Sequence, residues 1–380
     1  MKLLDILKFS EEYLKKYSFS KPRLESEKVI AHVLKLDRIT LYAYFDMELS
    51  LEQKNSIKEY LKNMARKRVG FEELPKENED KENLKKDFRV ENKELLLKCI
   101  EYLKKNGVAD SRLDAEYIFA HVLNVKRSIL SMNLMREITQ EEKEKIKHLL
   151  HQRAKEKRPL QYILGEWEFY GYPFYVDERV LIPRADTEIL VEQCKFILQE
   201  LNNPKVLDIG TGSGAISIAL AKEVPSANIL GADISLDALE VAKENRELNR
   251  CESNLKFIKS DVFSSIKEFD YDMIISNPPY IPEDEYKELM PEVKLHEPMG
   301  ALTDKGDGYY FYKKISEESP KYLKDGGYLV FEVGYNQAKK VSEFMEKNKF
   351  DIVAIVKDYG GIERVVIGRK SGEESVNEIK

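Results

Sequence analysis

Apolar positions along the first 154 residues recur at helical spacing, and they do so twice. EEYLKKYSFSKPRLESEKVIAHVL, ending at Leu34, returns as IEYLKKNGVADSRLDAEYIFAHVL, ending at Leu123. The offset is 89 positions, with His32 over His121, and the register holds without a gap to Ala65 and Ala154; about 21 of 54 aligned positions are identical. Val29, Ile30, Val33 and Leu34 match Ile118, Phe119, Val122 and Leu123. This i, i+1, i+4, i+5 stripe is that of a helix with one face on a core. Ser50-Leu-Glu-Gln53 and Thr139-Gln-Glu-Glu142 have the hydroxyl and the carboxylate or amide three residues on that form a capping box. Each copy is predicted to be a small helical bundle. RPLQYILGEWEFYGYPFYVDERVLIPR (158–184) then turns aromatic, with Gly165 and Gly171 as turn points, and reads as a β-hairpin. Its aromatic residues suit hairpin and interface packing. Beyond residue 187, KVLDIG, ANILGADI, LKFIKSDV, YDMIISNP and YLVFEVG alternate with helical segments. That alternation predicts a mostly parallel sheet with helices on both faces. DIVAIVKD and ERVVIGR, around YGGI, predict an antiparallel hairpin at its end.

These patterns divide the 380 residues into an extra helical copy (1–74), a charged linker (75–92), a second helical copy (93–160), a hairpin linker (161–184), an α/β domain (185–370) and a tail (371–380). Acidic residues outnumber basic ones, 68 to 62, for a net charge of −6, which argues against a protein that coats nucleic acid. Cys99, Cys194 and Cys251 are far apart and form no CxxC, excluding a zinc ribbon, a dithiol centre and a disulfide scaffold. The charged N-terminal segment has no signal-peptide core, and no apolar run approaches the ~20 residues that span a bilayer. A cytoplasmic protein away from membranes is expected. The five histidines show no metal spacing and no metal is expected; His32 and His121 suit packing or capping. The role of His296 stays open.

Asp208-Ile-Gly-Thr-Gly-Ser-Gly214 follows a buried strand and opens a helix. Gly210, Gly212 and Gly214 allow a tight turn and close approach of the backbone to a ligand. Asp233, 23 residues after Gly210, ends the second strand, where a carboxylate can accept from both hydroxyls of a ribose. With Ala215 the loop also satisfies GxGxxA, so a nicotinamide cofactor is one reading. Asp208, just ahead of the glycines, suits the cationic amino-acid part of S-adenosylmethionine better than a pyrophosphate. Asp261, at the end of the third strand, is placed for an adenine edge, with Val262 beside it.

Asn277-Pro278-Pro279-Tyr280 falls at the carboxyl end of the fourth strand. In a doubly wound sheet the first and fourth strands flank the point where strand order reverses, and ligands bind there. The Asn277 side-chain oxygen and the Pro278 carbonyl can accept the two N–H bonds of a planar amide or aromatic amine and favour charge building on its nitrogen. The prolines restrict the turn, and Tyr280 can lie flat on the planar group. Asn277, Pro278 and Tyr280 are the catalytic candidates.

RPLQYILGEWEFYGYPFYVDERVLIPRADTEILVE, LDIGTGSGAISIAL, NPPYI, HEPMGAL and GGIERVVIGR together resemble the HemK/PrmC family of release-factor glutamine methyltransferases, over about residues 93–370. The resemblance implies a Rossmann-like class I S-adenosylmethionine methyltransferase domain behind a β-hairpin linker and a helical substrate-docking domain. The implied substrate is the glutamine of the GGQ loop of peptide chain release factors, methylated on its amide nitrogen. It also implies that Gly210, Thr211, Gly212, Ser213, Gly214, Asp233, Val262 and Asn277 line the cofactor, while Asn277, Pro278, Pro279 and Tyr280 hold the glutamine. Three features depart from the family. Ala185 stands where IPRPDTE has its second proline, Val262 where an aromatic often follows the aspartate, and the helical domain is present twice. Only the second copy runs on into PLQYILGE.

The same tetrapeptide suits an adenine amino-methyltransferase acting on DNA or RNA, which needs a basic, base-flipping surface. A non-catalytic adapter that merely holds cofactor is a further reading, opposed by the intact NPPY. Arg66, Lys67 and Arg68, and Arg153, Lys155, Lys157 and Arg158, end the two copies with positive charge. Cations favour helix C-termini; alternatively, the second cluster docks an acidic surface of the release factor. A monomer with a protein substrate and no direct nucleic-acid contact is expected.

Overall fold

The computed structural model describes residues 2–74 and 88–372, which form two compact units, one within Met1–Lys86 and the other within Asp87–Lys380. Most of the predicted linker and the end of the predicted tail lie outside the described residues.

In the first unit the helices Leu3–Lys16, Pro22–Leu34 and Leu51–Lys67 close around Leu14, Val29, Ile30 and Met64, all fully buried. The second copy has Phe88–Lys105, Ser111–Val122 and Gln140–Ala154 in the corresponding places. Leu103, Ile118 and Phe119 are the buried counterparts of Leu14, Val29 and Ile30. Both capping boxes form. Ser50 Oγ accepts from Gln53 N at 3.1 Å and Thr139 Oγ1 from Glu142 N at 3.2 Å, and each side chain reaches back. One core position is not alike. Met64 is buried among apolar neighbours, whereas Arg153, 89 positions on, is a buried cation.

The aromatic segment is narrower as a hairpin than its composition predicts. Leu160–Leu164 is a helical turn, stopped by Gly165 at φ 72°. The strands are β1 (Glu166–Phe169) and β2 (Tyr172–Tyr175), joined through Tyr170 and Gly171 at φ 52° and 75°. Two consecutive positive φ values give the turn whose twist matches paired strands. Phe169 and Phe174 face the core of the α/β part. Trp167 leans on Tyr117 of the second helical copy, with ring centroids 5.9 Å apart.

Seven strands follow: β3 (Lys205–Ile209), β4 (Asn228–Asp233), β5 (Leu255–Lys259), β6 (Tyr271–Ser276), β7 (Leu323–Glu332), β8 (Phe350–Lys357) and β9 (Glu363–Lys370). Their order is β5-β4-β3-β6-β7-β9-β8, with β3 to β7 parallel and β9 antiparallel to both neighbours. This is the Rossmann-like class I arrangement expected from the sequence. Strand order reverses between β3 and β6, and the two motifs leave the sheet on either side of that point.

Candidate functional site

The turn after β3 is built by hydrogen bonds across the sheet end. The backbone N–H groups of Gly210 and Thr211 donate to Ala232 O at 2.8 and 3.1 Å. Gly210 and Gly212 have φ of 75° and 56°, and a Cβ on either would meet no protein atom within 4 Å. Both point into open space, so a side chain there would fill the cavity rather than the core. Gly214 differs. It too has a positive φ, but its Cβ would come within 3.0 Å of Ile218 and 3.1 Å of Phe257. Its role is the close packing of the following helix, Ala215–Glu223.

A cavity of about 430 Å³ opens between this turn and the end of β6, within the size range of small-molecule sites. Its wall takes in Gly210, Thr211, Gly212, Ser213, Asp233, Asp261, Val262, Asn277, Pro278 and Pro279, all singled out from sequence. Asp233 is fixed by backbone donors, accepting from Gly212 N and Ser235 N, each at 2.9 Å. Burial raises its pKa against the pull of those donors. Ser276 Oγ donates to Ile209 O at 2.7 Å, locking the ends of β3 and β6 together. The residues therefore fit a cofactor with a ribose and a small planar group beside it: glycines that clear the way, a carboxylate held in place and a partly apolar wall.

Three sequence expectations are corrected. Asp208 does not reach the cavity. It is fully buried behind the turn, where Oδ2 accepts from the hydroxyls of Thr211 at 2.7 Å and Ser217 at 2.6 Å. Burial pushes its pKa up to about 6; it shapes the turn and is not placed to meet a cationic ligand. Gly214 is likewise behind the wall. Tyr280 is turned away from the cavity, with its ring over Gly334, where no Cβ fits, and its carbonyl accepting from Gln337 Nε2 at 3.0 Å. Burial pushes its hydroxyl to about 12. In addition, Asp261 lies two residues beyond the end of β5, half in solvent and paired with Lys314 at 3.3 Å. Val262 beside it takes a left-handed φ of 52°.

Several residues that organise the site have no role assigned from the sequence. Asn245 is fully buried in the helix Leu236–Asn249. Its Nδ2 donates to Ser213 O at 3.0 Å and Tyr175 O at 3.1 Å, and its Oδ1 accepts from Tyr175 N at 2.7 Å. One side chain thus joins the glycine turn to the hairpin. Asn249 adds a bond to Pro173 O at 2.9 Å. Two buried asparagines four apart in a helix were the available signal, since such residues disfavour helix interiors unless they bond. Glu297 of HEPMGAL is buried and accepts from Ile182 N at 3.2 Å and Arg184 Nη2 at 2.5 Å. It fastens the IPR segment to the rim of the cavity. His296 beside it pairs through Nε2 with Glu156 O at 2.7 Å. Arg364 of GGIER holds Asp358 at 2.9 Å and Asp186 at 3.0 Å.

Arg153 is also corrected. Its guanidinium is nearly buried, donating to Asp114 at 2.6 Å and Glu292 at 2.9 Å, so it is not a surface cation available for docking. Arg158 is engaged with Glu178 at 2.6 Å. Among the described residues no helix is long and apolar enough to cross a membrane.

Comparison with known proteins gives two family matches. The Methyltransferase small domain model covers residues 186–309, and the PrmC N-terminal domain model matches twice, at residues 5–68 and 94–165. The release factor glutamine methyltransferase of Fusobacterium nucleatum subsp. nucleatum is 54% identical over 343 residues, 90% of this chain and 95% of that protein. The release factor glutamine methyltransferase of Thermodesulfovibrio yellowstonii is 42% identical over 260 residues, 68% of this chain and 92% of that protein. Among solved structures, the protein-(glutamine-N5) methyltransferase (release factor-specific) of Alicyclobacillus acidocaldarius is 27% identical, with a TM-score of 0.32. It covers 50% of this chain and 95% of that one.

Proposed function

The chain belongs to the release factor glutamine methyltransferase (HemK/PrmC) family, and on that premise we propose that it methylates the side-chain amide nitrogen of the glutamine in the GGQ motif of peptide chain release factors, using S-adenosylmethionine. The observation that carries the reading is the meeting of Asn277-Pro278-Pro279 with the Gly210–Ser213 turn and Asp233 in the wall of one cavity. Bound there, S-adenosylmethionine supplies an electrophilic methyl group on a sulfonium centre. Gly210 and Gly212 leave room for it, Asp233 accepts from the ribose hydroxyls, and Val262 covers the adenine.

The chain's own contribution is to hold a poor nucleophile in line. An amide nitrogen has its lone pair delocalised into the carbonyl. Asn277 Oδ1 and the Pro278 carbonyl accept its two N–H bonds, which fixes the nitrogen and favours positive charge on it. Positioning supplies most of the acceleration. Once methylated, the nitrogen is acidic and releases its proton without a strong base. The second helical copy docks the release factor. The enzyme acts as a cytoplasmic monomer on a protein, with no nucleic acid in the recognition.

The decisive experiment gives the protein labelled S-adenosylmethionine with a release factor, with its GGQ Gln→Ala variant, or with duplex DNA. Label is expected on the first alone. Label on DNA, or equal label on the Gln→Ala variant, overturns the reading.

A further inference from the structure

Glu332 ends β7, and the β6–β7 register sets Ser276 opposite Phe331, so Asn277 and Glu332 leave neighbouring parallel strands side by side. The Glu332 side chain is only 2% exposed, and its Oε2 has no hydrogen-bond partner. A carboxylate in that position is costly unless polar hydrogens meet it. The Thr187 hydroxyl and the Asn277 amide are the polar side chains that favour its charge, and neither bonds Oε2. Asn277 Nδ2 also donates to Thr187 Oγ1 at 3.4 Å. Around them lie Asp186, Arg364 and Tyr280. Arg364 is already engaged by Asp186 and Asp358, so it does not neutralise Glu332 by direct pairing.

A side-chain amide has two ends of nearly equal shape and opposite hydrogen-bonding sense. Only one orientation of Asn277 serves a substrate amide: with Oδ1 in the cavity it accepts an N–H, and with Nδ2 there two donors face each other. Burial raises the Glu332 pKa to about 7; above that pH the ionised carboxylate only accepts, so the end of Asn277 that turns to Glu332 is then Nδ2. We infer that Glu332 is a positioning residue that selects the orientation of the Asn277 amide, holding Nδ2 toward β7 and Thr187 and turning Oδ1 to the substrate. Asn277 and Thr187 are in the cavity wall and Glu332 stands behind them. The inference rests on the proposed amide methylation for its functional consequence, and on the side-chain geometry for the rest.

The test compares the full chain with Glu332→Leu and Glu332→Gln on the alkaline side of the Glu332 pKa of about 7, where the carboxyl is ionised. Leucine removes the acceptor and leaves an apolar side chain of similar size, at some cost in stability because the Thr187 and Asn277 donors remain. It is expected to lower kcat with a release factor by about tenfold or more, the worth of one lost orienting hydrogen bond, with the KM for S-adenosylmethionine unchanged. Glutamine offers an acceptor and a donor alike, so it no longer selects one orientation of Asn277 and is expected to lower kcat by about threefold or more. A folded Glu332→Leu or Glu332→Gln protein with wild-type kcat overturns the inference. A second readout needs no turnover: solvent exchange of the Asn277 side-chain N–H signals, assigned by their absence in Asn277→Ala. Exchange is expected to be slow in the wild type and fast in Glu332→Leu. Fast exchange in the wild type overturns the inference even if Glu332→Leu does not fold. Failure of the wild type to label a release factor would sink the proposed function instead, and exchange would still decide the positioning.

Discussion

Arg153 donates to Glu292 across 139 positions of sequence, at 2.9 Å, while its Nε holds Asp114 at 2.6 Å. A residue in the last turn of the second helical copy thus grips the helix Pro291–His296, one segment away from the cavity rim. Breaking a buried pair by removing one partner leaves the other charge uncompensated. Arg153→Met, the residue found at the equivalent position 64, is expected to cost about 3 kcal/mol. Adding Asp114→Asn should recover part of that loss. Urea unfolding of the two single variants and the double variant measures the coupling, and strict additivity would show that the pair contributes nothing.

Asn277→Ala separates substrate handling from cofactor binding. Loss of one acceptor aimed at developing charge costs about 10²-fold or more in turnover, whereas affinity for S-adenosylmethionine should change by no more than about threefold. Single-turnover kinetics with equilibrium binding on the same preparation gives both numbers. Equal losses would make Asn277 a cofactor residue only.

Gly212→Ala tests the turn. An L-residue in the left-handed region costs roughly 1–2 kcal/mol, and the methyl group enters the cavity instead of meeting protein. Affinity for S-adenosylmethionine is expected to fall by about tenfold or more, with only a small drop in melting temperature. Calorimetric titration decides it. Gly214→Ala should show the reverse balance, a larger stability loss from the crowding at Ile218 and Phe257.

What sequence reasoning captured and what escaped it follow from range. The capping boxes, the glycine turn and the strand ends are local patterns within a few residues, and each stands where its spacing predicts. Asn245, Glu297, Glu332 and Arg364 act on partners far along the chain: Glu297 on Ile182, for example, lies 115 positions away. Motifs such as HEPMGAL and GGIER, and the Asn245/Asn249 spacing, mark some of these residues, but nothing near them in sequence names the partner each one reaches. Asp208 and Tyr280 lie elsewhere than expected for a related reason. Adjacency to a motif is not exposure to its ligand, because alternation along a strand or turn sends neighbouring side chains to opposite sides.

Asp208 gives a pH signature. Its pKa is raised from an ordinary 3.8 to about 6 in the folded chain, so the native state binds more protons than the unfolded one between those values. Its contribution is therefore fully favourable below about pH 4 and is lost as pH rises through about 6. Asp208→Asn should flatten the decline in stability over that window by on the order of 2–3 kcal/mol. Denaturant midpoints of both proteins at pH 4.5 and 7.5 measure it. An unchanged slope would mean that the carboxyl is not buried as described.

A chain beginning at Asp87, which retains all of the second compact unit, is expected to fold and to keep measurable methyl transfer to a release factor. If it melts cooperatively and is inactive, the first helical copy belongs to the docking machinery.

β9, the last strand in sequence, is not an edge strand: it is inserted between β7 and β8, with Val365 opposite Glu332. During synthesis the sheet therefore has a gap in its interior until residue 370 has left the ribosome. β8 is made first and has no partner to pair with. The acid behind Asn277 stays on an open strand edge until that last insertion. A chain cut short by about two dozen residues would lose the strand that joins β7 to the edge strand β8, although every residue in the cavity wall had already been made. Assembly of the site is thus tied to completion of the chain, and a nonsense mutation near the end should be as damaging as one in the glycine turn.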